Sequence, residues 1–400
     1  MSLPDVDPEG LATTPRGFSA GGAYAGIKTY GEGKLDVALL ASDRPCAVAG
    51  VFTKSIMHSA PVDLDKDHLD DGKGQAVVVN SGVANASTGS RGMDDARTMA
   101  LVAARKLGLD PRDVFVCSTG VIGKFLPLER IEKGIAAVAL TPEGGEDFAR
   151  AIMTTDTRPK HGAVRFGPYT LGGCCKGSGM IHPNMATMLA FLTTDAPVNQ
   201  RFLQDELRHA VDRSFNLVSV DGDTSPSDTV LLFANGAAGG ETIHRGSSYA
   251  AEFSAALEAL TIHLAKEVAR DGEGATRLIE ASVTNASSVE DARKLVRLLT
   301  TSYLLKSAVH GADPNWGRIV AVLGRAEVRV REELVTVDLC GHRVFQGGQP
   351  TAFNEAVVAE AMKGDTVTIA VDLGAGPATA TGWGCDLTAE YVSINADYHT

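Results

Sequence analysis

The sequence predicts a mixed α/β protein in which packed sheets are covered by helices. The chain has 400 residues, of which 44% are hydrophobic and 22% are charged, as in folded globular proteins. Segments with helix and with strand character are mixed along the chain, and the strands outnumber those of a simple Rossmann alternation. At about 150 residues per domain the length corresponds to two or three domains. Because the pattern restarts near residue 280, we expect domains at 1–280 and 281–400.

In the first half of the chain, short apolar runs predict strands, and apolar spacings of three and four predict helices. The strands are expected at 35–40, 47–53, 75–80 and 114–117, the last running into a turn at 118–120. The helices are expected at 92–107 and 146–153. The longer helix ends in Arg105 and Lys106, and Gly108 follows it, as is typical of a helix C-terminus.

The second half begins with a predicted helix at 199–213 and continues with strands and helices. The longest helix is expected at 249–270, with an apolar stripe of Phe253, Leu257, Leu260, Leu264 and Val268. The remaining helices are expected at 289–299 and 353–362. The strands are expected at 217–220, 229–233, 318–323, 327–330 and 366–371.

Charge and composition exclude several classes of protein. Lys and Arg total 37 against 49 Asp and Glu, so the net charge is −12, which disfavours general binding to nucleic acid or to anionic membranes. We expect no signal peptide, because residues 1–20 lack an apolar core, and no transmembrane segment. The six cysteines are sparse and form no C-x-x-C pair, which favours reduced thiols and a cytoplasmic location.

Common motifs of nucleotide, metal and hydrolase sites are missing from the sequence. It has no phosphate-binding G-x-x-x-x-G-K-[ST], no G-x-G-x-x-G after a strand, no H-E-x-x-H and no G-x-S-x-G. Asp221, Asp223 and Asp228 have a spacing that could suggest a metal, but aspartates that cap turns explain it more simply.

The segment 176–195, KGSGMIHPNMATMLAFLTTD, offers a nucleophile of its own. The Thr187 hydroxyl lies next to the carbonyl of Ala186 and could attack it if the peptide is held strained. Cleavage would leave Thr187 as a new N-terminus whose amine, with an ordinary pKa of about 7.7–8.0, could take the hydroxyl proton. From these residues alone a second interpretation stays open: a helix that starts after Asn184 and buries Met185, Met188, Leu189 and Phe191.

Motifs along the whole chain resemble those of the ornithine acetyltransferase (ArgJ) family of arginine biosynthesis. They occur in the family's order: PRGFSAGGAYAGIK at 15–28, NSGVANASTG at 80–89, CSTGVIG at 117–123, IMTTDTRPK at 152–160, the segment around 187, SVDGDTSPSDT at 219–229, DGEGATRLIE at 271–280, DPNWGR at 313–318 and the C-terminal GCDLTAEYVSINADYHT. The resemblance implies a layered αββα sandwich with a smaller C-terminal α/β domain. It also implies self-cleavage into segments 1–186 and 187–400.

The resemblance assigns roles to individual residues. Thr187 matches the nucleophile, Ala186–Thr187 the cleaved bond, and Thr119 with Gly120 the oxyanion hole. The positions that match substrate-binding residues are Thr154, Lys176, Thr187, Glu273, Asn395 and Thr400. Their chemistry suits amino-acid ligands, since Lys176 can pair with a carboxylate and Glu273 with an ammonium group. Asn395 and Thr400 can take part only if the C-terminus folds back over the site.

The implied reaction is ping-pong acetyl transfer from N-acetylornithine to glutamate through an acetyl-threonine. The resemblance implies that the reaction needs no metal and no cofactor. It also implies that some members use acetyl-CoA as a second acetyl donor, and that two copies of each segment form the assembly. Cys175, His182 and Pro226-Ser227 depart from the residues expected there. Two other classes stay open: an N-terminal-nucleophile amidase or aminopeptidase that hydrolyses the acyl-enzyme, and an amino-acid-binding protein that is not cleaved.

Overall fold

The computed structural model describes residues 3–28, 33–182 and 188–397. Fifteen strands lie within these ranges. In chain order they are β1 Phe18–Ala23, β2 Val37–Phe52, β3 Lys73–Val83, β4 Val114–Val121, β5 Lys160–Phe166, β6 Tyr169–Lys176, β7 Leu189–Thr194, β8 Val218–Ser219, β9 Thr229–Ala234, β10 Leu278–Ala286, β11 Thr336–Leu339, β12 His342–Gln346, β13 Gln349–Pro350, β14 Thr366–Asp372 and β15 Ala378–Cys385.

The same ranges contain eleven α-helices. They are α1 Ala60–His68, α2 Gly89–Leu107, α3 Leu128–Ala137, α4 Gly145–Ala151, α5 Gln200–Arg213, α6 Ala250–Arg270, α7 Val289–Thr301, α8 Tyr303–His310, α9 Trp316–Gly324, α10 Glu355–Ala361 and α11 Ala389–Asp397. Within the described ranges, no helix has both the length and the apolar character that crossing a membrane requires.

The long strand β2 divides the first sheet into two halves. Its residues 37–41 pair with β1 and β3, and its residues 47–52 pair with β9, with a register shift between Ala41 and Cys46. The first half-sheet is therefore β1, β3, β4 and the start of β2. The second half-sheet is β5, β6, β7, β9 and the end of β2. The two strands predicted at 35–40 and 47–53 are thus one strand with an irregular middle.

The two half-sheets pack face to face, with helices on both outer sides. Along β2, Val37 and Leu39 pack into the core beneath α2 and α3, whereas Ala38 and Leu40 belong to the core between the half-sheets. This alternation follows from the two-residue period of a strand. Phe115 of β4 and Phe233 of β9 meet edge to face across that core, with ring centroids 5.7 Å apart. Helices α5 and α6 cover the second half-sheet, so the implied αββα layering is confirmed.

The second sheet has the order β13-β12-β11-β14-β10-β15-β8. Helix α6 lies between the two sheets, because it contacts β5 and β6 on one side and β15 on the other. Helix α7 packs closely on the opposite face of β15, where a Cβ atom on Gly382 would lie 3.2 Å from Val296. Because β8 precedes residue 280 and still pairs with β15, the two sheets share one continuous core. The division at residue 280 stays a prediction.

Two predictions from apolar runs are wrong in the same part of the chain. The run predicted as a strand at 318–323 lies in α9, which buries Ile319, Val322 and Leu323 at helical spacing. A run of only four to eight apolar residues does not distinguish a buried strand from a segment of a buried helix. The segment predicted as a strand at 327–330 is irregular.

Two predictions near the candidate site also need correction. Residues 118–120 do not form a turn, because β4 continues to Val121 and pairs there with β3. The alternative helix after Asn184 does not continue past residue 188, because β7 begins at Leu189 and pairs with β6 and β9. Residues 183–187, which include Pro183, Asn184, Met185, Ala186 and Thr187, lie outside the described part of the chain.

Candidate active site

The ends of two strands from the two half-sheets form the floor of a cleft. Thr119 and Gly120 lie at the end of β4, and Lys176 is the last residue of β6. The Lys176 Nζ atom donates a hydrogen bond to the Thr119 hydroxyl over 3.3 Å. Because this contact uses an acceptor position of the hydroxyl, its own hydrogen remains available for donation. These residues line a cleft that opens to solvent.

Gly120 approaches the neighbouring strand more closely than any other residue type could. Its φ is +126°, and a Cβ atom at this position would lie 2.4 Å from the carbonyl carbon of Gly82. Gly82 lies directly opposite Gly120 in β3 and has a φ of +113°. Because neither glycine has a side chain, no Cβ atom covers the Gly120 backbone beside the Thr119 hydroxyl at the cleft floor.

Lys176 is buried without a carboxylate in direct contact among the residues that the structure describes. Burial lowers the pKa of its ammonium group, and the nearby charge of Asp156 opposes this only in part. Asp156 accepts a hydrogen bond from the Gly177 amide over 2.7 Å, which fixes the backbone just after Lys176.

A buried ion cluster lies beneath the cleft and supports this strand end. Lys160 Nζ donates to Asp156 over 2.6 Å and to Asp271 over 2.5 Å. Burial would raise the pKa of Asp156, but the charges of Lys160 and Lys176 outweigh it and hold that pKa well below its ordinary value. The sequence does not predict this cluster, although the spacing of Asp156 and Lys160 is compatible with a pair.

Glu273 and Asn395 form one wall of the cleft. Asn395 in α11 donates to the Glu273 carboxylate over 2.8 Å, so the C-terminal segment does fold back over the site. The Glu273 amide donates to the Ser178 carbonyl over 3.1 Å. A Cβ atom on Gly179 would lie 2.3 Å from the Glu273 carboxylate, so this glycine makes room for it. Glu273 is therefore largely buried rather than a solvated residue at a helix end.

The structure brings together most of the residues that the sequence predicted for the site. The cleft is lined by Thr119, Gly120, Thr154, Lys176, Glu273 and Asn395. The amide of Thr154 donates to Asp156 over 2.9 Å, which holds its loop against the ion cluster. The predicted cleavage residues Ala186 and Thr187 and the predicted ligand residue Thr400 lie outside the described residues.

Met188, the residue bonded to Thr187, lies next to two residues of the cleft. It lines a narrow gap together with Thr119 and Lys176. The Met188 amide donates to Asp228 over 3.0 Å, and its carbonyl accepts from the Thr229 amide over 3.1 Å. Met188, which directly precedes β7, is therefore held beside Thr119 of the predicted oxyanion hole.

The three aspartates of the 219–229 segment differ in their surroundings. Asp221 accepts hydrogen bonds from the amides of Met180, Ile181 and Asp223, as a turn-capping residue does. Asp228 is buried beside Met188. Within the described ranges, no group of three or more His, Cys, Asp and Glu side chains is arranged to hold a metal ion.

Two of the residues that depart from the expected pattern, Cys175 and His182, have surroundings that disfavour their charged forms. Burial raises the pKa of the Cys175 thiol, so the thiol stays protonated. Burial and the adjacent Arg297 guanidinium lower the pKa of His182 to about 4. The Nε2 atom of His182 lies 3.2 Å from Arg297, and Nδ1 lies 3.3 Å from the Ser219 hydroxyl.

Comparisons with known proteins all find the same family. The model of the ArgJ family matches residues 19–400. The chain is 52% identical over 397 residues to the "Arginine biosynthesis bifunctional protein ArgJ" of Symbiobacterium thermophilum, covering 98% of this chain and 99% of that protein. It is 47% identical over 400 residues to the protein of the same name from Dehalococcoides mccartyi, covering 99% of each. A crystal structure of arginine biosynthesis bifunctional protein argJ from Bacillus halodurans is 40% identical, with a TM-score of 0.51, covering 52% of this chain and 98% of that one.

Proposed function

The chain belongs to the ArgJ family, and on that premise we propose that it transfers an acetyl group from N2-acetyl-L-ornithine to L-glutamate. The observation that carries the proposal is the cleft itself. A buried cation, Lys176, and a buried anion, Glu273, line it together with the Thr119 hydroxyl and the Gly120 backbone. Met188, whose neighbour in the sequence is Thr187, lies beside Thr119 and Lys176.

The first step that we propose is self-cleavage. The Thr187 hydroxyl oxygen attacks the carbonyl carbon of Ala186, the bond from this carbon to the Thr187 nitrogen breaks, and that nitrogen takes the hydroxyl proton. The product is an ester between Ala186 and the Thr187 oxygen. Water hydrolyses the ester, which leaves a carboxylate on Ala186 and restores the Thr187 hydroxyl beside a free amine. The segments are then 1–186 and 187–400.

The transfer reaction uses the same hydroxyl with its neighbouring amine as the base. The oxygen attacks the acetyl carbonyl carbon of acetylornithine, and the amine takes the proton. The Thr119 hydroxyl and the Gly120 amide donate to the resulting oxyanion, which is a large contribution in reactions of this type. The carbon–nitrogen bond to ornithine breaks, the leaving nitrogen takes the proton back, and the acetyl group stays on Thr187.

Glutamate completes the cycle through its amine, which attacks the acetyl ester and releases the Thr187 hydroxyl. The substrate charges fit the lining of the cleft, because Lys176 suits a carboxylate and Glu273, held by Asn395, suits an ammonium group. Thr154 supplies a neutral hydroxyl, and Thr400 is proposed as a further substrate contact. The acetyl-enzyme stores the transferred group, so no cofactor is needed.

The proposal extends to acetyl-CoA as a second acetyl donor and to an assembly of two copies of each segment. The relatives that support the donor are named bifunctional proteins. Formation of acetylglutamate from acetyl-CoA by the purified protein tests the donor. The mass of the complex in solution tests the assembly.

The intact mass of the purified protein, combined with a transfer assay, tests the proposed function. We expect two chains joined at Ala186 and Thr187, transfer that depends on glutamate, and one uncut inactive chain for Thr187→Ala. Acetate release that does not depend on glutamate would indicate an amidase instead. An uncut wild-type chain that transfers acetyl groups would contradict the mechanism, and an uncut chain that takes up no acetyl group would indicate a binding protein.

A further inference from the structure

One residue of the cleft has a backbone conformation that its residue type rarely adopts. Met180 lines the cleft and has a φ of +56°, in the left-handed region that favours glycine. Such a conformation costs free energy and persists only where neighbouring groups fix it, and residues of this kind cluster at functional sites. The groups around Met180 therefore indicate what this residue does.

A buried carboxylate holds Met180 in this conformation. Asp221 Oδ2 accepts a hydrogen bond from the Met180 amide over 2.6 Å, and Oδ1 accepts one from the Ile181 amide over 3.0 Å. Ile181 is buried in the core, and its carbonyl accepts from the Val220 amide over 2.8 Å. The backbone on the C-terminal side of Met180 is therefore fixed by the segment around Asp221.

The residues just before Met180 join it to Glu273, the proposed partner of a substrate ammonium group. The Glu273 amide donates to the Ser178 carbonyl over 3.1 Å. A Cβ atom on Gly179 would lie 2.3 Å from the Glu273 carboxylate, so this carboxylate packs against the residue next to Met180. Met180 is therefore an apolar residue that is fixed beside Glu273 in the cleft.

The cleft has an apolar part in addition to its charged groups. The apolar residues of its lining include Ile122, Met180 and Pro226. Acetylornithine has a carboxylate and an ammonium group that are joined by a chain of methylene groups. If Lys176 and Glu273 bind the two charged ends, the methylene chain lies among the apolar residues. Because Met180 is next to Glu273, the end of the chain that carries the ammonium group passes Met180.

We propose that Met180 determines the length of the amino-acid side chain that the cleft accepts in the acetyl donor. Its side chain packs against the methylene groups next to the ammonium group, and Asp221 is the positioning residue that keeps it there. Ornithine fits between Met180 and Glu273, whereas lysine has one more methylene group and fits only if its ammonium group moves away from Glu273. The inference rests on the proposed function, since it takes acetylornithine as the donor.

Two variants and one matched control test this inference in the full-length protein. Met180→Gly removes the side chain and suits the positive φ, so the variant should fold. Met180→Ala removes most of the side chain but keeps the unfavourable φ. The control is Glu327→Gly, since Glu327 has a φ of +51° and is outside the described lining of the cleft. For each protein, kcat/KM is measured with N2-acetyl-L-ornithine and with N2-acetyl-L-lysine as the donor and glutamate as the acceptor.

We expect the wild type to prefer acetylornithine over acetyllysine by about tenfold or more in kcat/KM. Both Met180 variants should lower this preference by about fivefold or more, and Glu327→Gly should leave it unchanged. A smaller change in either Met180 variant, an equal change in the control, or a wild type without the preference would overturn the inference alone. A wild type that transfers no acetyl group from acetylornithine would contradict the proposed function instead.

Discussion

Two buried lysines on neighbouring strands have opposite surroundings. Lys160, the first residue of β5, has carboxylates of Asp156 and Asp271 within 2.6 Å. Lys176, the last residue of β6, has the Thr119 hydroxyl 3.3 Å away. Burial lowers the pKa of both ammonium groups, but the two carboxylates outweigh it at Lys160 and raise its pKa, whereas the pKa of Lys176 stays lowered.

The difference distinguishes a charge that is paired within the protein from a charge that can bind a ligand. A buried cation with two carboxylates has its hydrogen-bonding capacity used within the protein, and its loss leaves two buried anions. A buried cation that faces a cleft with one hydroxyl still has donors to offer to a substrate carboxylate. The two lysines are equally buried, but their partners differ. The same substitution should therefore have different effects at the two positions.

Lys160→Met should give the largest loss of stability. We expect a fall of about 3–5 kcal/mol in the free energy of unfolding, because Asp156 and Asp271 would remain buried without their cation. Denaturant unfolding in a Thr187→Ala background measures it on one uncut chain. The control Lys294→Met, which removes an exposed pair with Glu327, should cost less than about 1 kcal/mol. An equal effect of both variants would show that the cluster is not structural.

Lys176→Met should reverse this pattern. We expect kcat/KM for acetyl transfer to fall about 100-fold, since the substrate carboxylate loses a charged partner in a buried site. The free energy of unfolding should stay the same or rise, because no carboxylate loses its direct partner. Parallel assays of transfer and of unfolding decide it. A loss of stability as large as that of Lys160→Met would remove the distinction between the two lysines.

Gly120→Ala tests the backbone of the proposed oxyanion hole. The new Cβ atom would lie 2.4 Å from the Gly82 backbone, and the φ of +126° is unfavourable for alanine. We expect a loss of about 2–3 kcal/mol in stability together with loss of transfer activity. Gly123→Ala is the control, since that glycine has a φ of +78° but open space around it. It should cost about 1 kcal/mol and keep the activity. A wild-type rate for Gly120→Ala would exclude this glycine from the oxyanion hole.

His182 is a third basic group near the cleft, and it should give the smallest effect. Its pKa of about 4 in the folded chain lies below the ordinary 6.5, because burial and Arg297 disfavour the proton. Between these values the unfolded chain binds the proton and the folded chain does not, so stability falls as the pH falls from 6.5 to 4. After allowance for solvent screening we expect about 1–2 kcal/mol. His182→Gln should remove this part of the pH dependence in unfolding measurements, and an unchanged slope would contradict the assignment.

Much of the fold and of the cleft could be predicted from the sequence. The stripe of α6 is buried at Phe253, Leu257, Leu260, Leu264 and Val268, because a long apolar periodicity leaves little choice. Membership of the ArgJ family confirms the predicted enzyme class, an acyltransferase of arginine biosynthesis. The motif positions Thr119, Lys176, Glu273 and Asn395, far apart in sequence, line one cleft as the resemblance implied.

Other features depend on contacts that no local pattern carries. The run at 318–323 is short enough to fit a strand or a helix, and packing of Ile319 and Val322 decides for the helix. The partners of Lys160 are 4 and 111 residues away, so only the folded chain joins the three charges. The same holds for Asp228, whose hydrogen bond to Met188 spans 40 residues.

Trapping the acetyl-enzyme tests the central claim most directly. The cleaved protein is incubated with acetylornithine in the absence of glutamate, and the two segments are weighed and digested for peptide mapping. We predict one acetyl group on the segment 187–400, located at Thr187, and its removal when glutamate is added. An acetyl group on another residue, or steady transfer with no acetylated segment at any time, would contradict the account.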